Sequence, residues 1–126
     1  APSWGYENRT VAVRVPADAP HATRLEHRVA GADANPYLVI AAMLAGMLHG
    51  IENKLEAPAP LEGNAYEQLP PSLPRYWPDA LARFEKSAFV RDNFGEEFRK
   101  VYAILKRQEI DEFDRHVTPL EYDACL

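Results

Sequence analysis

Residues 22–38, ATRLEHRVAGADANPYL, decide how this chain is read. Arg24, Glu26 and Arg28 fall on alternate positions, with Leu25, His27 and Val29 between them. That period of two belongs to a strand with one charged and one apolar face. It predicts a strand over 23–29, with His27 packed on the apolar side. A few residues on, Asn35 suits a helix cap and Pro36 the first helical position. The helix that follows is apolar nearly all round from Leu38 to Leu48, which predicts that it is buried.

Working outward, RTVAVRV at 9–15 also alternates, with Val11, Val13 and Val15 on one face. PADAPHA at 16–22 reads as the loop that lets the two strands pair antiparallel. Two strands alone are marginal, a hint that partner strands are missing. Six prolines between Pro58 and Pro78 make that stretch an irregular connector. Its Leu, Tyr and Trp content predicts that it packs over the surface instead of swinging as a linker.

PDALARFEKS and SAFVRDNFG read as two short helices, the second stopped by Gly95. EEFRKVYAILKRQEIDEFDRH reads as a long amphipathic helix whose stripe is Phe98, Val101, Tyr102, Leu105, Ile110 and Phe113. TPLE at 118–121 is a capping box that opens a last short helix. The fold class is α+β: two antiparallel strands followed by a helical C-terminal region, in one domain over 1–126.

The chain has 126 residues and a formal net charge of -5, an acidic balance that argues against a nucleic-acid surface. Its longest apolar run, Tyr37 to Leu48, falls short of the ~20 residues that a bilayer needs. The single cysteine, Cys125, forms no internal disulfide and fits a reducing, cytoplasmic setting. The start at APSWGYENRT lacks both an initiator Met and the pattern of a signal peptide, and predicts a piece of a longer chain.

For chemistry, a carboxylate flanked by guanidiniums stays ionised and makes a sound ligand for a hard cation such as Mg2+. Arginines on the same face hold phosphate or carboxylate oxygens through paired hydrogen bonds. Arg9 and Arg14 on the neighbouring strand add positive charge. A solvated strand face with cross-strand ion pairs, each contributing under about 1 kcal/mol, satisfies the same pattern. One glutamate does not hold a catalytic metal alone, and no other Asp, Glu or His stands at ligand spacing. His21 lies in the loop beside the arginines. His49 and His116 sit at helix ends, where a histidine suits the dipole. Trp4 and Tyr6 read as packing residues.

In order and spacing, the residues Asn8-Arg9, Arg14, Pro16, Arg24, Glu26, Arg28 and Ala34-Asn35-Pro36-Tyr37-Leu38 resemble the C-terminal part of the glutamine synthetase catalytic domain. The resemblance runs on through GIENKL, GNAYEQLP and VTPLE. SWGYENRT and GADANPYL look closer to its γ-glutamylpolyamine synthetase branch.

The resemblance implies an ATP-dependent ligase with two divalent metals, Mg2+ or Mn2+. Such an enzyme phosphorylates the side-chain carboxylate of glutamate, and ammonia or an amine then displaces the phosphate. Carried over by position, Glu26 ligates one metal and Arg28 binds the glutamate carboxylate. Arg9 faces the transferring phosphoryl group, the nucleotide and the substrate, with Arg24 beside it. Arg14 contacts ATP, and His21 lies near a nucleotide-binding position.

The same resemblance implies a ring-shaped homo-oligomer with no nucleic-acid or membrane partner. It places the N-terminal domain, the flap and most of the metal ligands outside this sequence, so the 126 residues alone are expected to be inactive. An ammonia-using glutamine synthetase and a non-catalytic scaffold relative are the alternatives.

Overall fold

The computed structural model describes residues 1–16 and 19–125. Two positions of the expected 16–22 loop, 17 and 18, lie outside the described residues. The chain forms two compact units, Ala1–Leu73 and Pro74–Leu126.

The first unit holds a three-stranded sheet in the order β1 (Trp4–Tyr6), β2 (Val13–Val15), β3 (Glu26–His27). β2 and β3 pair antiparallel, as expected. β1 adds a parallel strand that the sequence reading missed. It is three residues long with Gly5 at its centre, a weak local signal, and its partner is reached only through tertiary folding.

Both expected strands are shorter than predicted. Asn8 Oδ1 accepts from the Thr10 backbone N–H at 2.9 Å and from the Thr10 hydroxyl at 2.7 Å. This local turn keeps residues 8–10 out of the ladder. Val11 and Pro16 are buried at the two ends of β2. The strand at 23–29 narrows to two residues. His27 is exposed and Leu25 and Val29 are about half exposed, so the expected packing of its apolar face does not occur here.

The proline connector packs back on β1. The Leu61 N–H donates to the Trp4 carbonyl at 2.8 Å, and the Trp4 indole N–H donates to the Pro58 carbonyl at 2.6 Å. A Cβ on Gly5 would stand 2.6 Å from the Leu61 carbonyl oxygen, so only glycine admits this approach. Asn8 Nδ2 donates to the Leu61 and Gly63 carbonyls at 3.1 and 2.8 Å. A short α2 (Ala65–Gln68), capped by Asn64, interrupts the connector and buries Ala65.

α1 (Pro36–Glu52) begins as predicted, with Asn35 Oδ1 accepting from the N–H groups of Tyr37 (3.0 Å) and Leu38 (3.3 Å). Its predicted burial is not found: it buries no residue, and Leu44, Leu48 and Ile51 are more than half exposed. A helix apolar on all sides needs packed surface on all sides. Short strands and a four-residue helix do not supply it.

The second unit is helical: α3 (Trp77–Lys86), α4 (Ala88–Phe94), α5 (Glu96–Asp114) and α6 (Pro119–Cys125). Ser87 Oγ caps α4, and Gly95 at φ +90° ends it, as the sequence indicated. Leu81, Ala103 and Ile110 form the core with Phe84 against them. Rings of Phe94, Phe98, Tyr102 and Phe84 follow one another at 5.1–5.6 Å.

The buried face of α5 is turned from the predicted stripe. Ala103 joins it, whereas Val101, Leu105 and Phe113 are at least half exposed. α3 and α4 both pack on α5, and their placement selects the face. The capping box forms as read: the Thr118 N–H donates to Glu121 Oε2 at 2.8 Å, and the Glu121 N–H to Thr118 Oγ1 at 3.2 Å. Cys125 is an exposed free thiol. Among the described residues no helix is long and apolar enough to cross a membrane.

Candidate active site

The antiparallel register sets Arg14 of β2 directly opposite Glu26 of β3. Side chains at paired positions share a face, so the two meet. Arg14 Nη1 donates to Glu26 Oε2 at 2.8 Å, and Arg24 Nη2 donates to Glu26 Oε1 at 2.9 Å. Both oxygens of the one carboxylate are thus held by guanidiniums. The hydrogen bond from Arg14 comes first in pushing the Glu26 carboxyl below the ordinary glutamate range; partial burial opposes it and Arg24 adds to it. At neutral pH Glu26 is an anion with its orientation fixed from two sides.

The partners of Glu26 differ from the sequence expectation. Alternation pointed to Arg24 and Arg28 as the flanking cations, and the structure places Arg14 and Arg24 there. Arg28 turns elsewhere: its backbone N–H donates to the Ala12 carbonyl at 2.9 Å, and its Nε to the Arg9 carbonyl at 3.2 Å. Arg9 itself is exposed at the turn before β2. Arg9, Arg14, Arg24, Glu26 and Arg28 therefore occupy one small region around β2 and β3. His21 lies on an exposed 3-10 turn, Pro20–Ala22, whose Ala22 carbonyl accepts from Arg24 Nη1 at 3.3 Å.

One residue of this cluster escaped the sequence reading. Glu7 accepts a close hydrogen bond from Arg14 Nη2. It follows the last residue of β1, its φ is +49°, and its N–H donates to the Val15 carbonyl at 3.1 Å. A glutamate in this left-handed region costs about 1–2 kcal/mol. The signal available in the sequence was a carboxylate immediately before Asn8-Arg9. The Arg14 side chain is 13% exposed, with both terminal nitrogens engaged and a buried Nε that has no partner among the described residues. Glu26 and then Glu7 hold its guanidinium in the charged form.

Among the described residues no group of three or more His, Cys, Asp or Glu side chains gathers to hold a metal. Glu26 offers hard, ionised oxygens of the kind that Mg2+ or Mn2+ takes. It fits as one contributing ligand, and the described residues do not form a complete metal site by themselves.

The first unit thus sets a doubly clamped carboxylate among arginines on a short mixed sheet, and helices follow it, an α+β arrangement. The family model for the glutamine synthetase catalytic domain matches residues 1–125, and the chain belongs to that family. It is 46% identical over 124 residues to the gamma-glutamylputrescine synthetase PuuA of Escherichia coli (strain K12), covering 98% of this chain and 26% of that protein. It is 43% identical over 127 residues to the glutamate–isopropylamine ligase of a Pseudomonas species, covering 98% of this chain and 28% of the relative. The solved structure of apo GmaS without ligand matches with a TM-score of 0.78 and 31% identity, over 95% of this chain and 28% of that one. The chain thus spans about a quarter of the length of the relatives it matches.

Proposed function

We propose that this chain is the C-terminal catalytic segment of an ATP-dependent glutamate–amine ligase. In the proposed reaction, ATP transfers its terminal phosphoryl group to the side-chain carboxylate of glutamate. An amine then attacks the acyl phosphate, releasing inorganic phosphate and leaving a γ-glutamyl amide. Phosphoryl transfer of this kind relies on positioning and positive charge more than on covalent chemistry.

The observation that carries the reading is the Glu26 carboxylate, held ionised between Arg14 and Arg24 with Arg9 and Arg28 alongside. In this proposal Glu26 contributes one ligand to Mg2+ or Mn2+, which would neutralise charge on the phosphates. Arg28 takes the glutamate carboxylate, and Arg9 takes the transferring phosphoryl group and reaches nucleotide and substrate. Arg24 stands next to it, Arg14 carries charge on the nucleotide side, and His21 lies at the nucleotide edge. The open apolar circumference of α1 supports the reading as a segment, since a larger catalytic domain would bury it.

The relatives named for putrescine and isopropylamine favour an amine over ammonia as the second substrate. The same reading makes the assembled enzyme a cytoplasmic, ring-shaped homo-oligomer.

The test grafts this chain in place of the matching segment of the Escherichia coli enzyme. Phosphate release is followed with Mg-ATP and glutamate while putrescine, other amines and ammonia are offered in turn. The expectation is amine-dependent turnover, reduced at least about 100-fold by Glu26→Ala, on the scale of losing one preorganised electrostatic group. Turnover with ammonia alone would make it a glutamine synthetase. A folded graft with no turnover on any amine would overturn the ligase reading. The isolated 126-residue chain should show no glutamate-dependent ATP hydrolysis.

A further inference from the structure

Arg14 is gripped by two carboxylates, one at each terminal nitrogen. Its terminal nitrogens go to two carboxylates, Glu26 opposite it on β3 and Glu7 just past β1, while its buried Nε has no partner among the described residues. The guanidinium is therefore oriented by the two carboxylates at the expense of its third donor direction. Glu7 reaches that position only from a left-handed backbone that glutamate disfavours. Disfavoured backbone persists where the surroundings over-determine it, and such residues gather at working sites.

Charge points the same way. Arg14, Arg24 and Glu26 alone leave a positive excess, to which Arg9 and Arg28 add. A divalent cation approaching Glu26 would meet net repulsion. Glu7 brings the clamped group to neutrality. It does so through Arg14 Nη2, whereas Glu26 takes Nη1.

We propose that Glu7 is a positioning residue of the ligase site, which fixes Arg14 through its second terminal nitrogen and offsets its charge so that Arg14 orients Glu26 while leaving it able to accept a cation. The proposal rests on the ligase reading. It adds to that reading a chain of contacts, Glu7–Arg14–Glu26–Arg24, that runs from just past β1 through β2 to β3 and the residues before it.

The experiment uses the grafted ligase with Glu7→Gln and Glu7→Gly. Gln keeps the size of the side chain and loses the charge. Gly loses the side chain but accepts the positive φ without strain, so it separates positioning from folding. Three readouts are taken: Mn2+ binding from the electron paramagnetic resonance of the free ion, the split between kcat and the KM for glutamate, and the thermal unfolding midpoint.

The expected result is that both variants lose about tenfold in Mn2+ affinity and in kcat, the scale for removing an outer partner of a ligand. The glutamate KM should hold, and the Gly variant should unfold no earlier than the parent. Unchanged Mn2+ binding and kcat would overturn the proposal. So would losses that follow the unfolding midpoint in both variants, because Glu7 would then be structural only. A graft with native Glu7 that neither turns over nor binds Mn2+ overturns the ligase reading itself, and the proposal with it.

Discussion

α1 and α5 are the two long helices of this chain, 17 and 19 residues, and they meet opposite fates. α5 carries apolar residues on part of its surface and charges on the rest. It buries Ala103 and Ile110 against α3, and its solvent side is laced by ion pairs such as Glu96–Lys100 and Lys106–Glu109. α1 is apolar nearly all round and buries nothing. A half-polar helix needs one partner, and α3 and α4 lie next to α5 in sequence. An all-apolar helix needs partners on every side, and none follows from its own pattern. Hydrophobicity states a demand for burial; only the number of neighbours decides whether it is met.

The largest expected effect tests the α5 side. Leu81→Ala empties a buried site against Ala103 and Ile110 and should destabilise the second unit by about 2–4 kcal/mol, whereas Leu44→Ala on α1 should change stability by less than about 0.5 kcal/mol. Urea unfolding of both variants decides it, and equal losses would break the comparison.

A smaller effect of opposite sign tests α1. A Cβ on Gly46 meets no atom within 4 Å, so Gly46→Ala should stabilise the chain by roughly 0.5–1 kcal/mol through helix propensity. A loss of helicity by circular dichroism in that variant would reveal a packed neighbour.

The smallest effect is electrostatic. The carboxyls of Glu26, Asp92, Glu96 and Glu121 are all held below their ordinary range: Glu26 first by Arg14, Asp92 by Arg91, Glu96 first by Lys100, and Glu121 by the Thr118 N–H and hydroxyl. A carboxyl lowered in the folded state stabilises it above the unfolded pKa of about 4, and that contribution fades as pH falls through the folded value. The thermal midpoint should therefore be flat near neutrality and fall in acid, with Glu96→Gln on α5 removing part of the slope. A midpoint that rises in acid would contradict the direction of these shifts.

Much of the local architecture was legible. Asn35-Pro36, Ser87, Gly95 and the Thr118–Glu121 box announce helix boundaries because capping is settled within about four residues of chain. Charged alternation gave the β2–β3 pair and named five residues of the cluster. It misassigned the neighbour of Glu26, since alternation describes one strand and the partner Arg14 belongs to the other. Glu7 was missed because its role depends on a parallel strand and a positive φ that no periodicity announces.

The sequence by itself determined the antiparallel β2–β3 pair, the capped helix ends, the acidic balance and the Asn8-to-Leu38 pattern that places this chain in the glutamine synthetase family. These are properties of spacing and short-range hydrogen bonding. Tertiary structure alone decided which guanidiniums hold Glu26, which face of α5 is buried, that Gly5 admits the connector and that α1 stays open. Each of those depends on surfaces brought together from distant parts of the chain, where register and the supply of neighbours outweigh local preference.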